Sequence, residues 1–284
     1  MTAIQAALTG LIDYAGLYPP AALDMRTAVR SYLAYRKQEY AWVLGRFIVE
    51  LARLDELRET AGDALGEMRL SVIAPADADL SVIRERRNCG FRIEALEIKC
   101  DAPLRIARIC EHMPPDVECY FEVPIAQACT NTIDAIATVA MRAKLRMGGV
   151  VPEAFPTARQ VAERVHLVAD RGIAFKATAG LHHPVRSRHR LTYAADSPHG
   201  MMHGFMNMLC AAAVIRSGAT IDDAVRVLEE EDAAALHVSD ETIGAHERRW
   251  TTEEIREVRQ FFVGFGSCSF IEPIQDLQAL EWLP

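Results

Sequence analysis

The chain has 284 residues, half of them apolar, with 31 lysines and arginines against 39 aspartates and glutamates and a formal charge of -8. That is ample material for a closed globular core, and the acidic balance excludes a general nucleic-acid binder or a protein held to anionic lipid by charge, so any anionic ligand must be small and locally held. Seven cysteines without a CxxC pair, a start without the pattern of a signal peptide, and no run near about 18 apolar residues lead us to expect a cytoplasmic protein with reduced thiols and no membrane span.

Period-2 apolar runs predict eight strands, at 11–17, 42–49, 68–74, 93–100, 117–123, 144–147, 173–179 and 235–238. Helical patterns fall between and after them, at 25–37, 51–63, 80–87, 103–112, 132–141, 157–171, 204–217 and 253–262, with a terminal helix at 271–280. The alternation runs the whole length without a linker or a break in composition, which predicts a single domain, residues 1–284, of the α/β class. Eight units predict a (β/α)8 TIM-type barrel with a long irregular loop at 181–199 after the seventh strand and a C-terminal helical extension. A doubly wound open sheet is the competing architecture. The strands favour the barrel, because their polar residues sit at alternate positions: Glu97 and Lys99; Glu118, Tyr120 and Glu122; Lys144 and Arg146; Lys176 and Thr178. One face then packs under the outer helices and the other turns its charges toward a common axis, whereas strands covered by helices on both faces would be apolar throughout.

Two of these strands carry a lysine in an otherwise apolar setting, Lys144 and Lys176, and each ends in glycine. A lysine buried near another cation loses proton affinity, and an amine so tuned attacks carbonyls at neutral pH. The expected inward ring of Glu97, Lys99, Glu118, Glu122, Lys144, Arg146 and Lys176 sets three carboxylates against four cations. Such a ring is either a self-neutralising network or a reaction centre. In the second reading Lys144 or Lys176 forms a Schiff base, Glu97 or Glu122 moves protons, and Arg146 grips an acidic group of the substrate, with Lys99, Glu118 and Thr178 lining its path.

The punctuation adds further candidates. Gly148, Gly149 and Gly180 follow the two lysine strands, where their amides would meet an anion or their flexibility would simply turn the chain. Asp13, on the first strand, is expected at the same mouth, and Arg46, on the second, is expected to pair with one of the glutamates and to join the substrate-binding set. His182, His183, His199 and His203 flank the long loop and serve as substrate or acid-base groups, or, as an alternative, hold a divalent metal such as zinc together with a glutamate. Cys268, in a Gly-Ser-Cys-Ser-Phe stretch at 266–270, reads as part of a tight connection before the last helix.

The segment at 176–180, Lys-Ala-Thr-Ala-Gly, is similar to the Lys-Ala-Ser-Gly-Gly-like seventh-strand segment of class I aldolases of the deoxyribose-phosphate aldolase type. The segment at 144–148 shares its lysine and glycine with the Lys-Thr-Ser-Thr-Gly-like sixth-strand segment of that family, and 11–17 resembles its first strand. By strand order the resemblance implies imine formation by Lys144 and a pKa-lowering role for Lys176, by similarity of the segments the reverse, and in either case no organic cofactor. The sequence departs from the family at two points: Arg146 replaces a small residue, and the strand-borne aspartate has Glu97 or Asp101 as its nearest counterparts. Phrases at 175–184, 203–207 and 266–273 also resemble a bacterial family of hypothetical proteins. The expected function is thus a lyase or aldolase acting on a small keto or aldehyde substrate with a carboxylate or phosphate, the alternatives being a metal-dependent lyase or hydrolase and a non-catalytic binding barrel. The apolar helix at 204–217 is expected either on the barrel or in a homo-oligomer contact.

Overall fold

The structure is a computed structural model describing residues 1–99, 102–125 and 129–284, so the candidate Asp101 lies outside the described residues. Seven strands come in the expected order: β1 (Ile12–Tyr14), β2 (Leu44–Glu50), β3 (Arg69–Ala74), β4 (Arg92–Lys99), β5 (Glu118–Val123), β6 (Arg142–Arg146) and β7 (Phe175–Thr178). A hairpin, β8 (Ser187–Arg190) with β9 (His199–Met202), and a three-stranded antiparallel sheet of β10 (Leu236–Val238), β11 (Thr242–Ala245) and β12 (Arg248–Thr251) follow before β13 (Phe262–Ser267). The barrel is closed in the order β1-β13-β7-β6-β5-β4-β3-β2, with every neighbouring pair parallel. The (β/α)8 expectation therefore holds, and the open sheet does not.

Helices α1 (Ala3–Leu8), α2 (Met25–Tyr35), α3 (Leu54–Ala61), α4 (Ser81–Asn88), α5 (Pro103–Glu111), α6 (Thr130–Thr138) and α7 (Ala158–Asp170) precede the hairpin. Helices α8 (Phe205–Arg216), α9 (Ile221–Glu229), α10 (Thr252–Phe261) and α11 (Ile271–Ala279) follow it. Several start on capping boxes, in which a threonine hydroxyl takes an orphan amide and the residue three on returns the favour; Thr157 with Gln160 opens α7 and Thr251 with Glu254 opens α10. The outward strand faces are buried against these helices, as Leu96, Phe121, Leu145 and Ala177 show.

Two sequence expectations are corrected. The eighth barrel strand is β13, not 235–238, which pairs antiparallel with β11 across a short turn. The sequence Phe-Val-Gly-Phe-Gly-Ser hides β13 because glycines at 264 and 266 depress strand propensity; a Cβ on Gly266 would stand only 3.1 Å from Ile48 Cδ1 of β2, the strand on the other side of β1. The stretch 181–199, expected to be irregular, contains β8 and leads into the antiparallel β8–β9 pair.

Helix α8 is apolar on all sides because it has neighbours on all sides. It is buried from Phe205 to Ile215, stacks Phe205 on Phe265 of β13 with ring centroids 5.1 Å apart, and touches α7, α9, α10 and β11. Of the two places the sequence allowed for this helix, it occupies the one on the barrel. Its one buried amide, Asn207, accepts from the Arg186 amide at 2.9 Å and donates to the Val227 and Glu230 carbonyls at 2.9 Å each. This side chain ties the entry to the hairpin to the end of α9. Asn207→Leu strands three backbone partners, that of Val227 fully buried, and should lower stability by about 2–4 kcal/mol, read as a shifted urea midpoint with an unchanged slope; a loss below about 0.5 kcal/mol would mean these bonds are replaceable by water.

Candidate active site

Lys176 on β7 and Glu97 on β4 stand three strands apart, so they can touch only through the barrel interior. Lys176 Nζ lies 2.7 Å from Glu97 Oε1 and 2.5 Å from Asp13 Oδ2 on β1. Lys144 Nζ lies 2.8 Å from the other oxygen of Glu97 and 3.0 Å from Glu122 Oε2 on β5. One carboxylate thus separates and joins the two amines. Ser71 Oγ on β3 donates to Glu97 Oε1 at 2.7 Å, and the Tyr120 ring centroid lies 5.3 Å from Lys176 Nζ, a cation–π distance. Glu97, Lys144 and Lys176 are 1%, 5% and 1% exposed, so none of these charges is sustained by bulk water.

The electrostatics follow from the contacts. Burial pushes the Glu97 carboxyl up, but Lys144 and Lys176 override it and hold the group well below the ordinary carboxylate range. Burial likewise works against the Lys176 ammonium, yet Asp13 and Glu97 outweigh it and raise its proton affinity above that of an ordinary lysine. The expectation that crowding lowers the pKa of both lysines is corrected here for Lys176: the carboxylates between and beside the amines dominate. Lys176 is a fixed positive charge.

The axis has a cavity at each end. At the C-terminal ends of the strands a space of about 590 Å³ is lined by Lys144, Glu97, Glu122, Lys99, Arg146 and Thr178, together with Gly149, Gly180 and His182. Arg146 is half exposed and 4.0 Å from Glu122 Oε1, a loosely held guanidinium at the rim. Lys99 is exposed. Leu191 and Met202 of the hairpin region roof this cavity, and Cys268 borders it with a thiol that burial pushes up to about 11. Gly180, at φ 70°, and Gly148 make room for the Phe155 ring, since a Cβ on either would fall 2.7 or 2.4 Å from Phe155 Cε1. Gly148 is therefore a packing position, and it does not line the cavity.

Asp13, Arg46 and Glu118, expected in the substrate-binding set, line a second cavity at the N-terminal end with Lys176. Arg46 bonds Glu118 Oε2 at 2.8 Å and Glu94 Oε2 at 3.2 Å, and its amide donates to Asp13 Oδ1 at 2.6 Å. Of the single ring read from the sequence, Glu97, Glu122, Lys144 and Lys176 form the buried connected core, Arg146 touches it from the C-terminal rim, and Glu118 belongs to the N-terminal cavity.

The four histidines do not converge. His182 is buried at the C-terminal mouth with Nδ1 3.4 Å from Glu272 Oε2 and 3.3 Å from Ser267 Oγ. His183 turns away to Asp276, 2.5 Å from its Nδ1, and stacks on His189. His199 is exposed on β9, while His203 donates from Nε2 to the Pro156 carbonyl at 2.8 Å and is held down to about 4 by burial. Among the described residues no group of three or more histidine, cysteine or carboxylate side chains is arranged to hold a metal ion.

The sequence reading missed Ser71, Arg142, Glu94 and Glu272. Ser71 and Arg142 carried a signal, since each is the polar member of an alternating strand. Glu94 did not: β4 holds one extra residue opposite the Leu70–Ser71 step, so Glu94 and Glu97, out of phase by period 2, both reach the interior. Among the described residues no helix is long and apolar enough to cross a membrane. Compared with family models and with curated proteins, the chain matches none.

Glu97→Gln leaves Lys144 and Lys176 facing an amide and should cost about 3–5 kcal/mol, the price of breaking a buried pair. The sign of the pH effect follows from the lowered Glu97 pKa. Its contribution is complete above the unfolded carboxyl value of about 4.3 and fades as pH falls toward the lower folded value, so wild-type stability should drop below about pH 4 more steeply than that of Glu97→Gln. Parallel acid limbs in pH-dependent denaturation would show that Glu97 is not the linked group.

Proposed function

We propose that this barrel is a Schiff-base-forming lyase of the class I aldolase kind, acting on a small aldehyde or ketone that carries a carboxylate or phosphate. The observation that carries the reading is the placement of Lys144: its amine borders the C-terminal cavity, where barrel enzymes bind substrate, and rests against Glu122 while Lys176 lies behind Glu97. The resemblance of the two lysine segments to the deoxyribose-phosphate aldolase type supports it.

In this mechanism Glu122 takes a proton from the Lys144 ammonium, and the free amine adds to the carbonyl carbon. The carbinolamine hydroxyl leaves as water with the proton returned by Glu122, which gives a cationic iminium. Glu122 then removes the β-hydroxyl proton, the C–C bond pair moves into the iminium to give an enamine and a free aldehyde, and the enamine carbon regains the proton; water adds to the restored iminium, and the C–N bond breaks to release the second carbonyl product and the Lys144 ammonium. Glu97 stays ionised and faces the iminium charge, and the fixed Lys176 ammonium keeps that carboxylate from pairing with Lys144 alone. Arg146, loosely held at the rim, grips the anionic end of the substrate. A second reading, a binding barrel without turnover, is favoured by one observation: both lysines already have carboxylate partners.

Borohydride reduction in the presence of pyruvate or glycolaldehyde phosphate separates the two. Trapping should leave a secondary amine on Lys144, located by peptide mass mapping, and Lys144→Ala should abolish it. Glu122→Gln should slow adduct formation by about a hundredfold or more. No adduct at residue 144 with either carbonyl would remove the lyase reading and leave the binding barrel.

A further inference from the structure

The cavity at the N-terminal end of the barrel has a volume of about 590 Å³ and belongs to no step of the proposed reaction. Five cationic side chains line it: Arg46, Arg69, Arg142, Lys176 and Arg259. Only Asp13 and Glu118 face them from the wall, with Glu94 behind. That third carboxylate is shared three ways, at 3.2 Å from Arg46, 3.1 Å from Arg69 and 2.9 Å from the outlying Arg92. A network that serves only stability closes on itself, each cation meeting a carboxylate. This one does not close: Arg142 takes Glu118 at 2.8 Å, Lys176 takes Asp13 and the Glu97 that it divides with Lys144, Arg46 and Arg69 share Glu94, and one guanidinium is left over.

The excess is centred on Arg259, near the end of α10. Among the described residues it has no carboxylate within ion-pair distance; its guanidinium donates to the Phe262 carbonyl and, at 3.1 Å, to the Thr9 carbonyl. Its Nε is buried and has no acceptor among the described residues. Arg259 lines a cavity rich in cations and has no counter-charge of its own, and a tetrahedral dianion supplies the charge that the wall lacks.

We infer that the N-terminal mouth of the barrel binds a phosphate dianion, free or as the phosphoryl group of a small metabolite, held by Arg259 with help from Arg69 and Arg142. The site is separate from the C-terminal cavity and reaches it through one residue. Lys176 shares its ammonium between Asp13 below and Glu97 above, so an anion seated beside Lys176 competes for the charge that orders the axis.

Calorimetric titration at low ionic strength tests this with two probes, inorganic phosphate and glycerol 1-phosphate. Wild type should bind at least one of them saturably, and Arg259→Gln should weaken that binding about ten- to a hundredfold. Tighter binding of the ester points to a phosphorylated metabolite, and equal or tighter binding of inorganic phosphate to the free ion. Arg146→Gln, at the opposite mouth, reports any phosphate held there and should leave the Arg259-dependent site unchanged. Should Arg259→Gln fail to fold, Arg69→Gln on β3, whose side chain is 38% exposed, replaces it with the same expected loss. Absence of saturable binding at millimolar probe, or wild-type affinity in the arginine variant, would overturn the inference, as would loss confined to Arg146→Gln.

Discussion

Glu97 is the constraint on which the rest of the barrel interior depends. A carboxylate 1% exposed would be intolerable alone, and so would either of the lysines that flank it; together, with Ser71, they satisfy one another. The arrangement fixes more than charge. Because Glu97 comes from β4, Lys144 from β6 and Lys176 from β7, the contacts set how far the opposite walls of the barrel stand apart, and Asp13 extends the same lock to β1.

This lock divides the barrel into two compartments of different character. Toward the C-terminal ends it offers an amine, a nearby carboxylate and a loosely held guanidinium, the parts that carbonyl chemistry needs. Toward the N-terminal ends it offers arginines in surplus, and the one lysine there, Lys176, is held as an ammonium by its carboxylates. In barrel enzymes the N-terminal face is usually a place of stability, and the unmatched Arg259 is what sets this one apart.

How much of this was legible in the sequence depended on whether a residue kept to period 2. Alternation in the strands from Glu97 to Thr178 was enough to give the closed sheet, the inward charges and the connected set of Glu97, Glu122, Lys144 and Lys176. It did not give their heights along the axis, since strand tilt and stagger decide which end of the barrel a side chain reaches; Asp13, Arg46 and Glu118 ended at the other mouth for that reason. Bulged and glycine-rich strands were opaque: the extra residue in β4 concealed Glu94, and Gly264 with Gly266 concealed β13. Partners brought by the C-terminal helix, such as Glu272 beside His182, had no local signature because that contact joins residues far apart in the chain.

The hairpin β8–β9 has a consequence for what can enter. Leu191 and Met202 bring hydrocarbon to a lining that Ile48 of β2 and Ile73 of β3 also share, while Lys144, Glu122 and Arg146 bring charge to it. A wholly polar guest would leave that hydrocarbon against unsolvated polar atoms, and a wholly apolar one would strip water from the ions without replacing it. A lining so mixed matches an occupant that is itself part charged and part aliphatic.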